Sequence, residues 1–335
     1  MIEIIAEIGI NHNGDLNVAK ELVQQAKRAG ATCVKFQTFF IEELAREHTP
    51  KSEFQLRDKS STSHTEMLER CQLSYDDHVT LFKLCNKIGI DFLSTPYHPS
   101  AVKLLEKIGV ERYKVASADL RDIFLIDSIL ETEKKIILST GMSSQTDVKE
   151  ALDYIINQSG YEKDKITLLH CTSDYPCAAE DGNINFLKFL KDFGLRIGFS
   201  DHSIGVSQAL VALGFGATIF EKHITLDKNT SGPDHGASSD IPEFKKYVSD
   251  LNSGFLALGH ENKKTIDAEK SMKFTSQKSL VYKKNMKPED VIRKEDLSAM
   301  RPLDGIPIFR FEEFIGKILT KSVLKNQNLS EDHFE

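Results

Sequence analysis

Arg196-Ile-Gly-Phe-Ser-Asp-His202 and Ala217-Thr-Ile-Phe-Glu-Lys-His223 are successive short apolar runs, each ending in polar residues of the kind that bind ligands. Both read as strands that stop at a histidine. In a barrel of alternating strands and helices, such strand ends converge on one face, where the chemistry is done. Two imidazoles arriving there from neighbouring strands have the donor type to hold one borderline divalent ion, with positions left for water and substrate. The same spacing also accommodates one core histidine and one hydrogen-bonding histidine.

Working outward from this pair, the hydrophobic period alternates between strand-like and helix-like for about 255 residues. Strands are expected at 2–8, 32–37, 91–94, 112–116, 135–139, 166–170, 196–200 and 218–221. Helical patterns lie between them at 18–29, 64–72, 75–87, 99–108, 123–131, 146–158, 186–192 and 206–213, with a last one at 242–258. A polar stretch at 42–63 breaks the rhythm and reads as a long loop over the active face. Eight strands, each followed by helix, predict an α/β fold: a (β/α)8 TIM barrel over residues 1–259. A doubly wound sheet is the competing architecture, but neither G-x-G-x-x-G nor a P-loop follows any strand. The pattern changes after Gly259. Residues 260–273 read as a charged linker, and 274–335 as a small β-rich domain whose core is marginal by itself.

The chain has 335 residues, 40% hydrophobic and 28% charged, with a net charge of −7. No apolar run is long enough to span a membrane. The acidic balance disfavours a nucleic-acid partner, and it means that an anionic substrate needs a local cluster of cations. The first residues carry acids and no basic leader region, and the five cysteines form no C-x-x-C pair. Reduced thiols in a cytoplasmic protein are the expectation.

The polar residues at the expected strand ends include Glu7, Lys35, Gln37, Thr95, Lys114, Ser117, Ser139, His170, Ser200, His202, Glu221 and His223. Lysines and glutamates are rarely buried without partners, so a purely structural barrel has no use for this set. Lys35 and Lys114 suit a phosphate or carboxylate clamp, helped by the hydroxyls of Thr95, Ser117 and Ser200. Glu7 and Glu221 suit acid/base chemistry or support of a metal, or alternatively a salt bridge with a lysine inside the barrel. Asp234, in Ser231-Gly-Pro-Asp234, is placed to meet a polyol.

Ala6-Glu-Ile-Gly-Ile-Asn-His-Asn-Gly14, Val34-Lys-Phe-Gln-Thr38, Leu93-Ser-Thr-Pro96, Tyr113-Lys-Val-Ala-Ser117, Leu138-Ser-Thr-Gly-Met142, His170-Cys-Thr172, Tyr175-Pro176, Phe199-Ser-Asp-His202, Glu221-Lys-His223 and Ser231-Gly-Pro-Asp234 together resemble the sialic acid synthase family, in family order across the barrel. The tail, with Met300-Arg-Pro302, resembles that family's antifreeze-like (SAF) domain. The resemblance implies condensation of phosphoenolpyruvate with an N-acyl amino sugar, N-acetylmannosamine or a 2,4-diacetamido-trideoxyhexose. The product is a nine-carbon 2-keto sugar acid, with phosphate released. It also implies a divalent metal, Mn²⁺ or else Mg²⁺ or Co²⁺, on His202 and His223. Glu7 is then the acid/base residue, and Lys35, Thr95, Lys114, Ser117 and Ser200 form the phosphoenolpyruvate site. Tyr175 and Asp234 lie toward the sugar, with Glu221 also in the substrate site. Arg301 is lent to the N-acyl group across a domain-swapped homodimer. Two positions depart from the family pattern near substrate groups: Ala118-Asp119 replaces a Gly-Glu, and Ser173 replaces an asparagine. The stretch 227–235 is closer to legionaminate-type synthases. A Schiff base on Lys35 or Lys114 is a competing chemical role. Competing functions are a phosphoenolpyruvate-dependent synthase using a phosphorylated sugar, which needs a second cationic pocket, and a glycan- or ice-binding protein on a scaffold barrel.

Overall fold

The computed structural model describes residues 2–52, 55–57 and 63–334. It comprises two compact units, Met1–Gly259 and His260–Glu335. In the first, eight parallel strands form the wall of a barrel: β1 (Glu3–Gly9), β2 (Cys33–Thr38), β3 (Asp91–Pro96), β4 (Arg112–Val115), β5 (Lys135–Ser139), β6 (Ile166–His170), β7 (Arg196–Asp201) and β8 (Ile219–Thr225). Their hydrogen-bonded order is β3-β2-β1-β8-β7-β6-β5-β4. The ring closes where β3 lies against β4, side by side without a registered ladder among the described residues.

Strand alternation divides each strand between two environments. On β1, Ile4, Ala6 and Ile8 face the surrounding helices and share a core with Ala19, Leu22 and Val23 of Leu16–Ala29. Ile5 faces inward and joins Cys33, Leu93, Ile137, Leu169 and Ile219 in an apolar plug inside the barrel. The next inward position, one layer toward the C-terminal ends, is polar on β1, β2, β3, β5 and β8 (Glu7, Lys35, Thr95, Ser139 and Glu221) and is the Cys171 thiol just past β6. Gly198 marks how tightly the plug is packed: a Cβ there would lie 2.4 Å from the Ile219 carbonyl oxygen and 2.5 Å from Leu169 Cδ2.

Three elements differ from the sequence expectation. β8 continues to Thr225 and pairs in parallel with β9 (Ser239–Asp240), so His223 lies within the strand and not beyond it. The stretch 42–63 carries a short helix, Ile41–Leu44, at its start and a 3₁₀ turn, Gln55–Arg57, while residues 53–54 and 58–62 of it lie outside the described residues. The stretch read as a linker carries most of the helix Asp267–Ser276, which the Glu269 carboxylate caps by accepting from Ile266 N at 3.2 Å. The remainder of the second unit pairs β10 (Ser279–Tyr282) with β11 (Leu297–Met300) antiparallel, over a core of Leu280, Tyr282, Met286, Ile292, Phe314, Leu319, Val323 and Leu329. Residues 319–324 contribute isolated bridges, Leu319 with Phe334 and Val323 with Met286, and no continuous strand. Among the described residues, no helix is long and apolar enough to cross a membrane. All five cysteines are free and buried.

Candidate active site

The polar layer above the apolar plug holds two buried lysines and two buried carboxylates. Lys35 Nζ lies 2.7 Å from Glu7 Oε2 and 3.8 Å from Glu221 Oε2, and donates to Thr95 Oγ1 at 3.2 Å. Glu7 Oε1 accepts from Gln37 Nε2 at 3.1 Å, and Glu221 Oε1 from Ser200 Oγ at 2.9 Å. The lysine–glutamate salt bridge named as an alternative for these carboxylates is therefore present. Burial works against the charge on Lys35, but Glu221 and Glu7 outweigh it and raise its pKa. Glu7 moves up, because burial, reinforced by Glu221, exceeds the pull of Lys35. Glu221 goes the other way: burial is overcome by Lys114, Lys35 and the Ser200 hydroxyl, which bring it to about 2. Two neighbouring carboxylates held apart in this way can take different roles, one fixed as an anion and one able to exchange a proton.

Lys114 is in a different situation. It is buried, and among the described residues its ammonium donates to Ser139 Oγ at 2.6 Å and to the Val115 carbonyl at 3.1 Å, both neutral. No carboxylate lies within ion-pair distance of it among the described residues. Burial lowers its pKa, offset in part by the field of Glu221.

At the top of this layer the rings of His202 and His223 have centroids 5.6 Å apart. Tyr175 lies over His202 at 4.1 Å and meets His223 edge-on at 5.7 Å. His202 Nδ1 is hydrogen-bonded with the Thr172 carbonyl at 2.7 Å, which fixes the ring and leaves Nε2 toward Ser200 Oγ at 3.3 Å. His223 Nδ1 is 3.7 Å from Asp234 Oδ2. Burial holds both imidazoles below their ordinary pKa, His223 well below, with His202 and Lys35 adding to the effect there. Asp234 is pushed up to about 7 by burial, with Glu7 adding. Neutral imidazoles are the form that ligates a metal. Among the described residues no group of three or more His, Cys, Asp or Glu side chains is arranged to hold a metal ion. The donor set thus fits a divalent ion only with non-protein oxygens completing its shell.

These groups open into one cavity of about 840 Å³, lined by Glu7, Lys35, Thr95, Lys114, Ser117, Ser173, Tyr175, His202, Glu221, His223 and Asp234. Ser200 lies beneath the floor, bonded to Glu221. Ser117 Oγ accepts from Gly141 N at 3.0 Å, and Gly141 has room for no side chain: a Cβ would come within 2.3 Å of Ser173 Oγ and 2.8 Å of Ser117 Oγ. Asp119 does not line the cavity. It sits in the 3₁₀ turn Ser117–Asp119, where Ala118 reaches the wall instead, and burial with the nearby Asp122 raises its carboxyl to about 7. Arg301 belongs to the second unit, just past β11.

Gln37 lines the cavity and Ser139 supports Lys114 from outside its lining; both stand among the strand-end polar residues without a particular role assigned to them. Ser139, the neutral partner of Lys114, and Gln37, the partner of Glu7, follow the same inward alternation as Ile137 and Lys35, so the strand pattern contained the signal. Met142, which ends the Leu138–Met142 motif, and Tyr97 line the wall, as do Leu44, Thr49, Lys51 and Gln55 of the polar stretch expected over the active face, though no local motif picks out those individual residues. Asn11 Nδ2 donates to the Ile224 carbonyl and Ser238 Oγ, and Asn13 Nδ2 to the Ser231 carbonyl, tying the loop after β1 to the loop after β8.

Residues 22–263 match the NeuB family and residues 277–335 the SAF domain. The N,N'-diacetyllegionaminic acid synthase of Campylobacter jejuni serotype O:2 is 38% identical over 330 residues, covering 98% of each chain. The pseudaminic acid synthase of Helicobacter pylori is 33% identical over 341 residues, covering 99% of this chain and 98% of its own. A crystal structure of the N-acetylneuraminic acid (sialic acid) synthetase of Leptospira borgpetersenii, in complex with citrate, matches with a TM-score of 0.69 at 29% identity, covering 81% of this chain and 90% of that one. The chain therefore belongs to the NeuB family, as an enzyme of the synthase type with a C-terminal SAF domain.

Proposed function

We propose that the enzyme is a nonulosonic acid synthase that condenses phosphoenolpyruvate with an N-acyl amino sugar, releasing phosphate. The observation that carries this reading is Lys114. A buried ammonium with only neutral partners is costly, and an anionic substrate entering the cavity removes that cost. Lys35 lies on the same inward layer, and its two carboxylate partners keep it charged. Together the lysines hold the phosphate and carboxylate of phosphoenolpyruvate and offset the charge they carry. His202 and His223 would hold an Mn²⁺, Mg²⁺ or Co²⁺ ion, which would supply Lewis acidity toward the aldehyde of the open-chain sugar.

In the reaction, C3 of phosphoenolpyruvate bonds to the aldehyde carbon, whose oxygen takes up a proton to become a hydroxyl; water adds at C2 with loss of a proton, and the tetrahedral centre expels hydrogen phosphate with cleavage of its C–O bond, leaving the 2-keto group. Glu7, with its pKa raised and one oxygen fixed by Gln37, takes the proton from that water. Tyr175 and Asp234, beside the histidines, face the sugar hydroxyls. The names of the relatives favour a diacetamido sugar, and Ala118 and Ser173 on the cavity wall are the positions where its substituents are discriminated. By the same resemblance the enzyme is a homodimer in which Arg301 completes the partner's sugar site.

Phosphate release from phosphoenolpyruvate, measured with a panel of N-acyl amino sugars and with sugar phosphates, tests the reading. Release is expected with an N-acyl sugar and is expected to stop on EDTA treatment and return on adding Mn²⁺. Release with sugar phosphates alone, or none with any N-acyl sugar, would sink it. Borohydride in the presence of phosphoenolpyruvate is expected to leave the enzyme active, since no Schiff base forms.

A further inference from the structure

Behind the two histidines, on the outward face of the barrel, lies a buried charged cluster that the proposed chemistry does not use. Lys222 falls between Glu221 and His223 on β8 and, by strand alternation, points away from the cavity. It is buried, as are Asp201, Ser203 and Tyr247 around it. Its ammonium is 3.3 Å from Asp201 Oδ2, donates to the carbonyls of Ser203 and, at 3.4 Å, Gly205, and sits 5.3 Å from the centre of the Tyr247 ring on the helix Ile241–Leu258. The other Asp201 oxygen accepts from Ser203 N at 2.8 Å and Ser203 Oγ at 2.6 Å.

The position of this cluster gives it a role. The last registered pair of the β7–β8 ladder is Asp201 with Lys222. His202 and His223 each come one residue later, where the ladder has ended. What holds His202 from its other side ties it to the loop after β6: Cys177 N donates to the His202 carbonyl at 2.9 Å, and the ring bonds Thr172. The grip of Lys222 on the carbonyls of Ser203 and Gly205 instead spans from β8 to the end of β7. It replaces the missing rungs at the level of the two imidazoles. We infer that Lys222, paired with Asp201, is a positioning residue that clasps the ends of β7 and β8 so that His202 and His223 face one divalent cation together. This rests on the reading of the two histidines as the metal-holding pair. The buried ion pair is then kept for geometry and not for net stability, since such pairs seldom repay their desolvation.

The test compares the full-length parent with Lys222→Met and with the double variant Asp201→Asn/Lys222→Met, in which no carboxylate is stranded. Mn²⁺ binding is followed by the electron paramagnetic resonance of the free ion, and phosphoenolpyruvate binding by calorimetry without metal. Both variants are expected to lose Mn²⁺ affinity by about tenfold or more, while keeping phosphoenolpyruvate affinity and the near-UV circular dichroism of the parent. Unchanged Mn²⁺ affinity in the folded double variant overturns the inference. Equal loss of both ligands, or loss of the near-UV signal in both variants, also overturns it and makes the cluster a determinant of folding. A parent that binds no Mn²⁺ defeats the metal reading itself, and that result appears before any substitution is made.

Discussion

Glu7 and Asp119 are both carboxyls with raised pKa, yet they differ in what surrounds them. Glu7 is buried against Lys35 and Gln37 in the reacting layer. Replacing it with glutamine keeps the shape and removes the proton acceptor, so kcat should fall by about 10²–10⁴. Because the carboxylate also competes with phosphoenolpyruvate for Lys35, KM for phosphoenolpyruvate should not rise. Steady-state phosphate release measures both, and a rise in KM that accounts for the whole loss would remove Glu7 from the proton-transfer step. Asp119 lies off the cavity, so its effect belongs to stability. Its folded pKa, about 7, is above the ordinary aspartate value of 3.8, so the folded state binds the extra proton between these two values. Its contribution to stability is full below pH 3.8 and is lost as pH rises through about 7. Asp119→Asn should therefore stabilise the protein at pH 8 relative to pH 5 by on the order of 1–2 kcal/mol, less than the full shift because the carboxyl is partly exposed. Urea unfolding at the two pH values measures the difference. Lys35 and Lys114 were legible in the sequence, because a lysine flanked by apolar strand residues has to point somewhere special. The elevated carboxyl of Asp119 was not, since burial by distant segments sets it.

β7 and β8 show what the element scale adds. Alternation along each strand was readable and correctly sorted Ser200, His202, Glu221 and His223 onto one face of the barrel. The end of β8 was readable only as far as the histidine, because its continuation to Thr225 depends on pairing with Ser239–Asp240, which no local pattern marks. The helix Asp267–Ser276 was missed for a related reason. None of its residues is buried, so it shows no apolar stripe, and propensity with a capping glutamate forms it instead. The close packing inside the barrel makes a prediction for β7. Gly198→Ala places a methyl against the Ile219 carbonyl and Leu169, both within the apolar plug. Overpacking of this kind costs about 1–3 kcal/mol. It should also displace the polar layer above the plug, raising KM for phosphoenolpyruvate along with the loss of stability. Thermal unfolding and steady-state kinetics on the same preparation check the two together; a destabilised variant with unaltered KM would show that the plug and the polar layer are mechanically separate.

For the whole molecule, the question is why a barrel with a complete cavity carries a second unit. Its core, from Leu280 to Leu329, is small, and Arg301 follows a strand of that unit, far in sequence from every cavity residue. If Arg301 serves the sugar site of the partner, as the family resemblance implies, the dimer should show it by complementation. Arg301→Ala keeps an intact barrel and lacks the lent arginine. Lys114→Ala lacks a buried cation of the barrel and keeps Arg301. Each alone should be nearly inactive, the first with a raised KM for the sugar and the second with a raised KM for phosphoenolpyruvate. When the two are co-expressed, a mixed dimer with exchanged arms has one site that combines an intact barrel with an intact arginine, and another that carries both defects. Random pairing makes half of the dimers mixed, so activity should return to about a quarter of the parent. If each arginine serves its own barrel, every site in every dimer carries a defect and no activity returns. Phosphate release from the co-expressed mixture, with light scattering to establish the dimer, therefore decides between an arm that completes its own site and one that completes its neighbour's.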